Sequence, residues 1–165
     1  MKKYELTAEF IEKWGKKLFR IKALISFGSV EAGELGGYVE KEDNLAQDGD
    51  AWVCGNAWVY DNARVYGNAR VCGNAWVCGN ADYLLIGRIG SRFSFTTFFK
   101  NKDKGITVSC GCFLGTIAEF RAKVTDTHGN NKHAKMYNLA ADMAELQILG
   151  EEHFDKLNTN KSEPF

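Results

Sequence analysis

Net charge is missing from this chain: twenty-one Lys and Arg residues cancel twenty-one Asp and Glu residues over 165 positions. Association driven by phosphate neutralisation needs a basic excess, so nucleic acid is not an expected partner, and an acidic mimic of nucleic acid is not expected either. No apolar run reaches the length of a membrane span, and the opening MKKYELTAEF lacks the apolar core of a signal peptide. A protein without membrane contact, working in the cytosol, is expected. The five cysteines, an odd number, agree with a reducing compartment. Histidine is scarce, and His128, His133 and His153 all fall in the C-terminal part.

What is present is enough to fold. Hydrophobic residues make up 45% of the chain and aromatics 13%, so one domain or a compact pair of subdomains is expected rather than disorder. The charges are unevenly placed, with seven Lys or Arg against three Glu in residues 1–25 and seven acidic groups against Lys41 alone in residues 28–50. Two solvated faces account for that.

The organising feature is a run of six hexads over residues 49–84: GDAWVC, GNAWVY, DNARVY, GNARVC, GNAWVC and GNADYL. Ala recurs at 51, 57, 63, 69, 75 and 81, with Val two residues later at 53, 59, 65, 71 and 77. Six is too long a period for a simple alternating strand and too short for a helical repeat, but it is the period of hexapeptide β-helices. Strand alternation then points Ala and Val inward. It points Trp52, Cys54, Trp58, Tyr60, Arg64, Tyr66, Arg70, Cys72, Trp76 and Cys78 outward. The Gly-Asn pairs make the corners, because both residues tolerate positive φ.

These hexads resemble those of the left-handed parallel β-helix proteins, whose triangular coils spend three hexads per turn. The resemblance implies that residue i lies beneath i+18 at roughly the strand spacing of 4.8 Å. Trp58 should stack under Trp76, Tyr60 under Cys78, Trp52 under Arg70 and Cys54 under Cys72, the last two as reduced thiols. One face would be strongly apolar and would need cover from another part of the chain or from a second copy.

The flanks complete the expected layout. A hairpin of two strand-like runs around a Gly turn should cap the repeat in residues 1–38, and the repeat itself should occupy 39–86. Strands are expected at 82–87, 93–99 and 106–113, with Cys110 and Cys112 on one side of the last. Thr116 and Glu119 have the spacing of a capping box that opens a helix, and a second helix from about 134 to 149 gathers Met136, Leu139, Met143 and Leu146 on one side. The expected fold class is mainly β: a left-handed parallel β-helix of two to three coils with an N-terminal β cap and a C-terminal α+β segment of strands and two helices over 87–150. Residues 151–165 read as a flexible tail.

Across most of its length the layout is similar to small hexapeptide-repeat proteins carried by bacterial phages and prophages, through YELT, LFRIKAL, LGGYVEKEDNLAQDG, the GNA repeats, IGSRFSFTTFF and CGCFLGTIAEF. That resemblance implies an accessory protein acting in the bacterial cytosol, and a non-enzymatic, homo-oligomeric binder, with a trimer preferred, that inhibits a host defence system. Its target would be a host defence protein or a small nucleotide-like signal. The expected contact residues are Trp58, Tyr60 and Trp76 on the aromatic face and Arg88, Ser91 and Arg92 in the run Gly87 to Arg92, where two guanidinium groups can grip an anion. No cofactor and no metal are expected, since the spacings of Cys110, Cys112, His128 and His133 match no common zinc site. The alternatives are an acyltransferase-like enzyme, disfavoured because no His lies on the hexads to serve as general base, and a structural or assembly module.

Overall fold

A computed structural model describes residues 1–162, with side-chain surroundings through residue 159. Strands β1 (Tyr4–Lys13) and β2 (Lys16–Ala23) pair antiparallel around Trp14 and Gly15, whose φ angles of 53° and 76° make the tight turn. β3 (Leu35–Val39) pairs antiparallel with β2 and parallel with the hexad strand β5 (Trp58–Val59). The hairpin thereby closes the edge that β3 would otherwise leave open.

The hexads stack as the eighteen-residue spacing requires. β5 pairs with β7 (Trp76–Val77) through Trp58↔Trp76 and Val59↔Val77, and β4 (Trp52–Val53) pairs with β6 (Arg70–Val71) through Trp52↔Arg70 and Val53↔Val71. Leu45 bridges Val65 in the same parallel sense. Every expected inward Val is fully buried, as are Ala51, Ala57, Ala69 and Ala75. Burying one such side chain stabilises by roughly 1.5–3 kcal/mol.

The fold class as a whole is nevertheless corrected. The strands sort into a five-stranded mixed sheet in the order β1-β2-β3-β5-β7, a two-stranded parallel sheet β4-β6 and a four-stranded antiparallel sheet, with three helices, and do not form a left-handed parallel β-helix. The physical reason is length. Each named hexad strand holds only two residues, and of these strands only β5 and β7 join a larger sheet, which β3 and the antiparallel hairpin complete on the β5 side.

The second sheet is built from β8 (Tyr83–Ile89), β9 (Ser94–Lys100), β10 (Ile106–Cys110) and β11 (Phe113–Thr116), ordered β11-β10-β9-β8. A turn at Gly111, with φ of 57°, divides the strand expected over 106–113 and leaves Cys112 exposed while Cys110 stays half-buried. One face of this sheet carries Phe99 and Tyr83 into the core of the repeat, and the other carries Phe98 and Val108 under the helices. Tyr83 Oη also donates to the Arg64 carbonyl at 2.6 Å, which ties the two halves together.

Helix α1 (Ile117–His128) starts as expected, with Thr116 Oγ1 accepting from the Glu119 amide at 3.2 Å. Helix α2 (Lys132–Ala144) continues through a wide turn at Glu145–Leu149 and stops at Gly150. Its orientation corrects the sequence reading: Met136, Leu139, Met143 and Leu146 are 38–63% exposed, while Ala134, Tyr137, Ala140, Ala141 and Ala144 face the sheet. The tail is corrected too. Residues Glu151–Ser162 form helix α3, and the remainder of the stretch expected to be loose lies outside the described residues.

Candidate functional site

The aromatic face exists, and its geometry follows from the ladder. Because β5 and β7 are in register, the indoles of Trp58 and Trp76 stack with centres 4.8 Å apart and 9° between their planes. The hairpin turn then places Trp14 across them, 5.8 Å from Trp58 and 5.3 Å from Trp76 at nearly right angles, and 5.8 Å from Tyr60. Offset-stacked and edge-to-face arrangements are the favourable ones for ring quadrupoles. Lys13 holds its ammonium 5.8 Å from the Trp58 ring.

This cluster is half-buried, with Trp14 its most open member at 60% exposure. Burial pushes the Tyr60 phenol up to about 12, helped by the Cys78 thiol beside it. Next to the rings, Lys16 pairs with Asp61 at 2.5 Å and with Glu40 at 3.6 Å, and its hydrogen bond to Asp61 raises the Lys16 pKa. The patch is therefore apolar at its centre with a charged rim. Cover that the sequence assigns to an unnamed part of the chain or a second copy comes in part from Trp14, which the sequence reading missed. The signal was Trp14-Gly15 in the turn, where an aromatic at positive φ is uncommon.

Trp52, expected outward, is fully buried instead. Tyr4 and Phe27 cover it at ring distances of 6.4 and 5.3 Å, and its indole nitrogen has no hydrogen-bond partner. Beside it Lys3 is buried and donates to the Ala51 carbonyl at 2.8 Å, with its pKa lowered by burial. Cys54 and Cys72 stand one above the other with Cα atoms 4.5 Å apart, so the ladder brings their sulfurs together.

Arg88, Ser91 and Arg92 lie on and beside the β8–β9 turn, exposed. Gly90 makes that turn at φ of 82°, where a Cβ would sit 1.9 Å from the Tyr137 hydroxyl. The Arg88 guanidinium lies 5.9 Å from the Phe95 ring centre. Among the described residues no hydrogen bond, ion pair or ring contact links this turn to Trp58, Tyr60 or Trp76. The expected contact residues thus form two separate groups.

Cys110 and His128 do come together. They line a cavity of about 100 Å³ with Phe113, Phe120 and Tyr137, and His128 stacks on Tyr137 at 5.8 Å with His133 5.5 Å away. The Cys110 sulfur accepts from Thr96 Oγ1 at 3.2 Å, and burial followed by the Cys110 thiol raises the Tyr137 pKa. The cavity is smaller than sites that enclose a substrate. Among the described residues no group of three His, Cys, Asp or Glu side chains could hold a metal, and no helix is long and apolar enough to cross a membrane.

Neither the protein-family models nor the curated proteins compared with this chain give a match.

Proposed function

We propose that the protein acts by stoichiometric binding rather than turnover, as a phage-encoded inhibitor that captures a component of a bacterial defence system in the cytosol. The observation that carries the binding reading is the aromatic cluster. Trp14, Trp58 and Trp76 offer a preassembled, half-open surface with Lys13 and Lys16 at its rim, and large rigid rings ringed by charge are the usual anchors of a desolvated protein contact. The surface is open rather than a cavity, which suits a host protein. The phage setting is supported by the sequence resemblance alone.

Homo-oligomerisation, including the trimer, loses part of its motive, because Trp14 of the same chain already covers some of the aromatic face. A host protein is the better fit to what remains open. The test is protection of a phage that carries the gene on a defended host, with wild type and with Trp14→Ser. Trp14 is 60% exposed but packs on three rings, so its replacement should lower stability by about 1–2 kcal/mol, leave the protein folded, and weaken protection by at least about tenfold. Protection should scale with the amount of protein. Full protection by a folded Trp14→Ser, or protection at amounts far below those of the target, would overturn the proposal.

A further inference from the structure

A cleft of about 390 Å³ opens where the four-stranded sheet diverges from the hexads. Its one wall is the repeat-facing side of β9 and β10, because Phe95 and Thr97 share a face with Phe99, and Ser109 is the ladder partner of Thr97. Its other wall comes from Ser29, Asp50, Asn68 and Arg70, which the stacking of the hexads brings to one corner. Volume alone puts it in the range of small-molecule sites.

Only some of the polar groups in it satisfy one another. Neither the Ser109 hydroxyl nor the Asn68 side chain makes a hydrogen bond among the described residues. Both side chains line open space in the cleft, where their polar atoms are free to meet a ligand. The Arg70 guanidinium donates to Ser29 Oγ, an acceptor without charge, and it makes no ion pair although Asp50 lines the same cleft. The backbone that carries it is fixed, since the Arg70 amide donates to Thr97 Oγ1 at 3.0 Å. Phe95 offers a ring to the cleft, with the Arg88 guanidinium over it, and Gly87 lets that ring lie against the β8 backbone because a Cβ there would sit 2.4 Å from Phe95.

We infer that this cleft is a binding site for a phosphorylated ribose, with the guanidinium of Arg70 on the phosphate, the Asp50 carboxylate on the sugar diol and Phe95 beneath an attached base. A guanidinium supplies a planar fork of donors suited to phosphate oxygens. A carboxylate accepts from adjacent sugar hydroxyls, and a ring accepts any base by stacking. Ser109 and Asn68 supply the remaining donors and acceptors. The site extends the capture reading to a small ligand and shares its premise that the protein works by binding, but it uses a surface that Trp14 does not touch.

The test is calorimetric titration of the whole protein with adenosine 5′-monophosphate, ribose 5-phosphate and inorganic phosphate. One saturable site is expected, tightest for the nucleotide and weakest for phosphate. Arg70→Gln should weaken all three, the nucleotide by at least about tenfold. Asp50→Asn should weaken the nucleotide and the sugar phosphate and leave inorganic phosphate unchanged. Asn68→Tyr, which fills the cleft from the exposed corner beside Arg70, should abolish binding without lowering the melting temperature, and it serves if Arg70→Gln does not fold. Absence of saturable nucleotide binding at millimolar concentration, or nucleotide binding unaltered in a folded Arg70→Gln or Asn68→Tyr, would overturn the assignment. Either result leaves the phage assay with Trp14→Ser free to succeed or fail separately.

Discussion

The hexads and helix α2 are both patterned in apolar residues, yet they obey their patterns differently. Val53, Val59, Val65, Val71 and Val77 are all fully buried, whereas Met136, Leu139, Met143 and Leu146 all remain more than a third exposed. A strand in a ladder has two faces, and its backbone hydrogen bonds decide which residues share one. A helix satisfies its own backbone and can turn about its axis, so its inward face is chosen by fit and by polar partners. On α2 the small face wins: Ala140, Ala141 and Ala144 let the helix approach the sheet, and Tyr137 reaches beneath to Phe120 at a ring distance of 5.6 Å. Arg121 of α1 locks the choice, donating to Asn138 at 3.0 Å, Asp142 at 2.7 Å and Glu145 at 3.1 Å.

The sharpest way to break the comparison is at the centre of the repeat. Val65→Asp places a carboxylate among Ala63, Leu45 and the other Val side chains, where no cation is available to pair with it. The expected cost is about 4 kcal/mol or more, enough to unfold a domain of ordinary stability. Circular dichroism of the purified variant checks this. A soluble Val65→Asp with wild-type melting would mean that the repeat tolerates its inward face being remade.

A smaller effect is expected on the helical side. If α2 is oriented by the smallness of its inner face, Ala141→Leu should cost about 1–3 kcal/mol, because extra methylenes enter a contact that is already closed. Denaturant unfolding measures it. An unchanged midpoint would show that the Arg121 network, and not the Ala face, sets the orientation.

These contrasts explain what was legible in the sequence. The register of the hexads was legible because five of the six repeat the same inward Ala and Val, and the start of α1 was legible because Thr116 and Glu119 are local partners. The sheet organisation was legible only in part: a capping hairpin was expected, but strands of two residues, Trp58–Val59 or Trp76–Val77, do not announce that it joins their ladder through β3 while β4 and β6 pair apart. Of the aromatic site, Trp58, Tyr60 and Trp76 were found from alternation, while Trp14 was missed because its contribution depends on a turn more than forty residues away in sequence. The cleft was missed for the same reason, since Ser29, Arg70 and Ser109 meet only after both sheets have formed. Arg70 had one signal, standing in the hexads where Trp52, Trp58 and Trp76 stand in others.

The smallest effect is expected where the sequence pattern is strongest and the structure ignores it. Leu139 is 63% exposed and Met143 56%, so neither contributes the burial that their helical spacing suggests. Replacing both by Ser removes apolar surface that the folded chain does not cover. Each change should alter stability by no more than about 0.5 kcal/mol, against several for one Val of the repeat. The double variant should therefore melt with wild type and keep its size by light scattering. A loss above about 1 kcal/mol, or a fall in assembled mass, would mean that this stripe is buried against a second copy in solution. The two regions would then obey their apolar patterns alike, one within the chain and one between chains.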